Sequence, residues 1–267
     1  MIDLREKPDT YANNSRVIHF EIDASEIDKN MKTYISVKGD LKIILQRLMH
    51  YINAKDKPIW IKQADACLPG KTDFAPKDIL KVLNNFFNAE DVIVTTDVGQ
   101  HQMWVAQNWQ FEKPRTFLTS GGLGTMGFGL GAAIGAQIAN PDKTVLHITG
   151  DGSFRMNCNE LATVARYDLP IITILMNNQS LGMVRQWQRL FFDKRYSQTD
   201  IRQNVDYIKL ADAYGIKGYR VSSLSELSSV LSKVQSRGAF IECVIDKDEG
   251  VFPMVPPDKP LDNLIME

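Results

Sequence analysis

"TVLHITGDGSFRMNCNELATVARYDLPIITILMNN", residues 144 to 178, is the stretch from which the fold is read. It opens with an apolar run of strand length, TVLHITG, and closes with a second, PIITILMNN. Between them NELATVARY has the spacing of a helix. Two strands joined by one helix are expected to be parallel, with a right-handed crossover, so their carboxyl ends lie side by side. One end carries Gly150-Asp151-Gly152-Ser153 and the other Asn177-Asn178. This places a carboxylate beside a carboxamide on the edge where open parallel sheets take their ligands.

The same alternation continues in both directions. Upstream are the strand DVIVTTD (91–97), a helix through MWVAQNW and the glycine-rich SGGLGTMGFGLGAAIGAQIA. Downstream come the helix NVDYIKLADAYG, the strand YRVS, the helix LSELSSVLSKVQS and the strand AFIECVID. Single helices between apolar strands predict an α/β fold, a parallel sheet covered by helices on both faces. The helix APKDILKVLNNFF (75–87), with Pro76 in its first turn, starts this domain near Phe74. Ahead of it RVIHFEID (16–23) reads as a buried strand, followed by a helix-like stretch and by DLKIILQRLMHYI (40–52), an amphipathic helix. The run 53–73, with lysines, prolines and no sustained period, reads as a connection. The expected division is therefore 1–55 as an amino-terminal unit, 56–73 as linker, 74–250 as the main domain and 251–267 as a tail.

Composition excludes several classes of function. The 267 residues are 44% hydrophobic and 24% charged, enough to bury a sizeable core. Lys and Arg total 31 against 32 Asp and Glu, so there is no basic field for nucleic acid or an anionic membrane. Cys67, Cys158 and Cys243 are far apart and in no metal-ligand spacing, which suits reduced, buried thiols in the cytoplasm. The polar MIDLREKPDTYANNSR is no secretory signal, and no apolar run approaches the roughly 20 residues that span a bilayer.

The chemistry concentrates at the two strand ends. Gly150 and Gly152 let the backbone turn sharply into a helix whose first N–H groups are free, beside the carboxylate of Asp151. A phosphate together with a divalent cation satisfies both features: amides of Gly152 and Ser153 for phosphate oxygens, Asp151 for Mg²⁺. Asn178 then offers a neutral oxygen as second ligand. Taken singly, the glycine turn is an ordinary tight turn and the asparagine pair an ordinary helix cap; their pairing one crossover apart is the specific signal.

This pairing resembles the thiamine-diphosphate signature, GDG followed by NN, and Asp151 to Asn178 spans its 27 residues. The resemblance widens in DVGQHQMWVAQ, TSGGLGTMGFGLGAAIGA, GDGSFRMNCNELAT, NNQSLGMVRQWQ and VFPMVPPDKPLDNLI, and more weakly in RVIHFEIDASEIDKN. Together these are similar to the carboxyl-terminal portion of acetohydroxyacid (acetolactate) synthase catalytic subunits. That resemblance implies the diphosphate-binding domain of the thiamine-diphosphate fold, preceded by a fragment of a Rossmann-like, flavin-bearing middle domain. It implies a transferase of branched-chain amino acid biosynthesis, which decarboxylates pyruvate and joins the two-carbon unit to pyruvate or 2-oxobutyrate. Its cofactors would be thiamine diphosphate and Mg²⁺, with FAD in the full-length family; its partners would be 2-oxo acids, a second copy in a dimer and a regulatory small subunit, in the cytoplasm.

Residue by residue, the resemblance implies Mg²⁺ on Asp151, Asn178 and the backbone carbonyl of Ser180. Gln100, His101, Gly152 and Ser153 would hold the diphosphate, beside the turn at Gly150. Gly122, Gly124 and Met126 would approach the thiamine rings, and Met183 and Trp187, on one helix face, would shape the acceptor pocket. One departure is Gly131, where the family usually has proline. A larger one is length, because the domain that carries the family's cofactor-activating glutamate finds no counterpart in the chain. The isolated chain is then expected to be inactive alone. Two other readings stand beside the synthase: a non-catalytic thiamine-diphosphate and Mg²⁺ module, and another thiamine-dependent carboligase or oxidase.

Overall fold

Three strands of nearly unbroken apolar sequence, β3 (Val92–Thr96), β5 (Thr144–Gly150) and β6 (Ile172–Asn177), lie next to one another and are buried along almost their whole length. Burial on both faces is what such runs require, since an alternating strand would leave one face wet. The computed structural model describes residues 15–52, 73–201, 205–234, 238–257, 259–260 and 263–266. The chain divides into two units, Met1–Leu68 with Phe252–Glu267, and Pro69–Val251. The linker expected at 56–73 lies, apart from Asp73, outside the described residues, as does Cys67.

In the larger unit the sheet has six strands, all parallel. With β4 (Phe117–Thr119), β7 (Gly218–Val221) and β8 (Ala239–Val244) the order is β4-β3-β5-β6-β8-β7. The strand order reverses between β3 and β5, so the chain leaves neighbouring strands there in opposite directions and opens a crevice at their carboxyl ends. Alternate residues feed two separate cores. Val92, Val94, Leu146, Ile148, Ile174 and Met176 join one with Ile79, Leu80 and Leu83 of α2 (Pro76–Phe86) and Leu227 and Leu231 of α9 (Leu224–Val234). Ile93, Val145, Leu175 and Phe240 face the other, with Leu130, Ala133 and Ile134 of α4 (Phe128–Ala139) and Tyr207 and Ala211 of α8 (Tyr207–Ala213). Helices thus cover both faces, as the sequence predicts.

Local details differ from that prediction. The helix after β5 starts at Asp151 without an intervening loop and runs in pieces: α5 (Asp151–Asn157), a 3-10 turn at Cys158–Glu160 and α6 (Leu161–Arg166). In the smaller unit, the helix-like stretch after β1 (Ile18–Glu21) is only a 3-10 turn at Ala24–Glu26, and it leads to a second strand, β2 (Ile35–Lys38), parallel to the first. Helix α1 (Leu41–Leu48) follows, its start capped by the Asp40 carboxylate, which accepts from Lys42 N and Ile43 N. No helix among the described residues is long and apolar enough to cross a membrane.

Candidate cofactor site

The carboxyl ends of β3, β5 and β6 enclose a cleft of about 260 Å³. Its polar end is made where β5 passes into α5. Gly150 admits no side chain, because a Cβ there would stand 2.9 Å from His101 Nδ1. Asp151, Gly152 and Ser153 are all buried at this turn and all line the cleft. Burial raises the Asp151 carboxyl from its ordinary 3.8 to about 7, against the pull of backbone amides and Arg155. A carboxylate held this way with no cation beside it is costly, and a dication would restore its charge. Across the turn, His101 is 4% exposed and its Nε2 has no hydrogen-bond partner. Burial pushes its ring down to about 4, so it is neutral at physiological pH.

The second wall is the turn after β6. Asn178 Oδ1 accepts from Ser180 N at 3.1 Å and keeps a lone pair for another partner; its Nδ2 donates to Gln100 Oε1 at 3.3 Å. Ser180 is tied down through its hydroxyl, which donates to Thr199 O at 2.9 Å. Gly182 opens α7 (Gly182–Phe191), and a Cβ there would collide with Gln100 Oε1 and come within 2.7 Å of Asn178 Nδ2. Among the described residues no group of three or more His, Cys, Asp or Glu could hold a metal. A cation here would take one carboxylate, neutral oxygens and a ligand's own phosphate, which is how Mg²⁺ is commonly bound.

The third wall is the glycine-rich loop. Gly124 (φ +74°) and Gly127 (φ +83°) adopt left-handed backbone that glycine favours, and Gly124 and Met126 line the cleft between and beside them. The loop is anchored to the sheet by Asp97, whose Oδ1 accepts from Gly129 N at 2.6 Å while its Oδ2 accepts from Thr149 Oγ1 at 2.5 Å and meets His147 Nε2 at 3.2 Å. These hydrogen bonds overcome the burial that would raise the Asp97 carboxyl and leave it below the usual range. Met176, Leu181, Met183 and Val184 supply the apolar side of the cleft.

The structure gathers most of the sequence-predicted site residues around this cleft, with three differences. Gln100 lines it, but its two amide hydrogens go to Gln186 Oε1 and Glu249 O, each at 2.9 Å, so it ties α3 (Gln100–Asn108) to α7 and has no donor left for a phosphate. Ser153 likewise spends its hydroxyl on Val98 O at 2.7 Å, leaving its backbone N–H for an anion. Gly122 is exposed and Trp187 packs edge-on against Phe191 at 5.5 Å; neither lines the cleft. Sequence reasoning passed over Asp97, His147, Gln186 and Gly182. For the first two a signal existed: polar residues at alternate positions of apolar strands, TTD and HIT.

Residues 97–243 match the family described as "Thiamine pyrophosphate enzyme, C-terminal TPP binding domain". The chain belongs to the thiamine pyrophosphate enzymes. Within that family it is 45% identical over 263 residues to the acetolactate synthase isozyme 2 large subunit of Escherichia coli K12, covering 94% of this chain and 47% of the relative. It is 42% identical over 265 residues to the mitochondrial acetolactate synthase catalytic subunit of Saccharomyces cerevisiae, covering 93% and 38%. With the acetolactate synthase large subunit of Lactococcus lactis it shares 40% over 268 residues, 97% and 46%. The chain thus spans about half the length of the relatives it matches. As a thiamine pyrophosphate enzyme it needs a seat for a diphosphate beside a flat heterocycle, and the cleft's lining suits one: the first turn of α5 at Gly152 and Ser153 and the unpartnered, buried Nε2 of His101 at one end, Met126 and Gly124 at the other.

Proposed function

We propose that this chain is the cofactor-binding half of an acetolactate synthase catalytic subunit, working on pyruvate with pyruvate or 2-oxobutyrate as acceptor. The observation that carries the reading is a cleft with the family's residues at its wall in a chain 45% identical, along 94% of its length, to a protein of that name. Thiamine diphosphate, when bound, supplies the electron sink for decarboxylation and carbon–carbon bond formation. The chain's own residues bind and orient. The first turn of α5 at Gly152 and Ser153 and the ring of His101 would hold the diphosphate, and Asp151, Asn178 and the Ser180 carbonyl would hold Mg²⁺. Met126 would support the rings, and Met183 with its apolar neighbours would keep water from the reacting carbon. Trp187 reaches the acceptor pocket in this reading only if its side chain turns from Phe191, and its buried, unpartnered Nε1 shows that its present seat is not a hydrogen-bonded one. Because the relatives carry the name large subunit, a smaller companion chain is part of the reading, as are self-association and a cytoplasmic setting. FAD would fall to the unit built on β1 and β2.

The test is acetolactate formation from pyruvate with thiamine diphosphate and Mg²⁺, by this chain alone and mixed with the amino-terminal half of a relative. Acetolactate is expected in the mixture and little or none from the chain alone. Cofactor binding with no product in the mixture would favour the non-catalytic module, and an oxidised or different condensation product would favour another thiamine-dependent enzyme.

A further inference from the structure

Glu242 is an acid in the middle of β8, 3% exposed, and has no part in the chemistry above. The sheet register pairs it with Leu175 of β6 on one side and Arg220 of β7 on the other. Its two oxygens are divided between two donors: Oε1 accepts from Asn177 Nδ2 at 2.6 Å and Oε2 from Arg220 Nε at 2.8 Å. Arg220 in turn donates from Nη2 to Asp206 Oδ1 at 2.9 Å, at the start of α8. Glu242 is the buried partner and Arg220 is half-exposed, and a buried carboxylate paired in this way adds little net stability over an apolar residue of the same volume, so its presence asks for another reason.

Asn177 connects it to the cleft. Its Oδ1 accepts from Gln179 N at 3.1 Å, closing a turn in which Gln179 has φ +54°. A side-chain-bearing residue in left-handed backbone is strained and needs its surroundings to hold it. Asn178 and Ser180 stand immediately on either side. An asparagine amide can sit either way round, and only one orientation gives Gln179 N an acceptor. Glu242, an acceptor on both oxygens, selects that orientation by requiring Nδ2 to face it. Resting on the cation reading above, we infer that Glu242 is a positioning residue: through Asn177 it holds the strained turn that aims the Asn178 and Ser180 oxygens at the cation.

The variant Glu242→Gln sets one oxygen before two donors, so either Asn177 or Arg220 meets an N–H instead of an acceptor. In Glu242→Gln/Arg220→Met one donor is gone and the remaining oxygen can return to Asn177. Mg²⁺ is titrated at fixed thiamine diphosphate, with tryptophan fluorescence as the signal, since Trp104 lines the cleft. The Mg²⁺ midpoint should rise about 10-fold in Glu242→Gln, a typical loss when a group behind a metal ligand is removed, and return to within about twofold of wild type in the double variant. Asn177→Ala, which leaves the Glu242–Arg220 pair intact, should show the same rise and serves if Glu242→Gln does not fold. An unmoved midpoint in the folded single variants, or a double variant as impaired as Glu242→Gln, overturns the inference and leaves the pair a structural one. A wild-type protein that takes up thiamine diphosphate without Mg²⁺ overturns the cation reading itself.

Discussion

Asp151→Asn is expected to abolish Mg²⁺-dependent thiamine diphosphate binding while making the empty protein more stable at pH 8. Both effects follow from one buried carboxylate. Its pKa, 3.8 in an unfolded chain, is raised to about 7 in the fold by burial. Between pH 4 and pH 7 the unfolded chain therefore releases its proton while the folded one keeps it, and stability falls with rising pH. Above pH 7 the cost reaches the order of 4 kcal/mol. Asparagine carries no charge and escapes it. Melting temperatures of wild type and variant should therefore converge below about pH 4 and separate in the variant's favour by pH 8, in the absence of cofactor. With Mg²⁺ and thiamine diphosphate the order should reverse, because only wild type gains from binding. Asn178→Ala, which removes a neutral oxygen, should weaken binding less than Asp151→Asn, since a hard dication gains most from an anionic ligand. If Asn178 were merely a cap, its loss would cost about 1 kcal/mol and leave affinity unchanged. Unchanged affinity in both variants, measured calorimetrically at fixed Mg²⁺, would refute the cation assignment.

Two glycines of α4 should respond to the same substitution with opposite sign. At Gly129 a Cβ would stand 2.7 Å from Asp97 N and 2.8 Å from both Thr96 C and His147 Nε2. Two of these are backbone atoms of the strand and cannot swing aside, so Gly129→Ala must push the helix off the sheet and stretch the 2.6 Å bond to Asp97. A loss of about 3 kcal/mol is expected, which lowers the melting temperature of a chain this size by roughly 10 °C. At Gly135, two turns along, a Cβ meets nothing within 4 Å. Gly135→Ala should stabilise by about 0.5 to 1 kcal/mol, through helix propensity alone. Denaturant unfolding of both variants checks this, and a Gly129→Ala protein as stable as wild type would show that the α4 start is not held against β3. Because Gly129 follows Met126 closely, the same variant should also loosen the cleft's grip on the thiamine rings.

The sequence by itself determined the parallel sheet, its two-sided burial and the adjacency of Asp151 with Asn178. These are consequences of period and of connection length, both written locally: apolar runs too continuous for a one-sided strand, each followed by a single helix. Phe117–Thr119 carries too few residues to show a period, and Ile35–Lys38 is exposed along its length and has no apolar run to announce it, so both became visible only when a neighbour paired with them. The tertiary structure alone decided what the polar side chains do. Gln100 is a plausible phosphate donor in sequence, but its amide is met by Gln186 and Glu249, 86 and 149 residues away. Glu242 reads as one acid in a strand until the sheet brings Asn177 to it from 65 residues upstream and Arg220 from 22. A buried hydrogen-bonding group must find a partner, but which partner depends on the strand that packs beside it and the register in which it does so. Neighbouring residues along the chain carry no record of that choice.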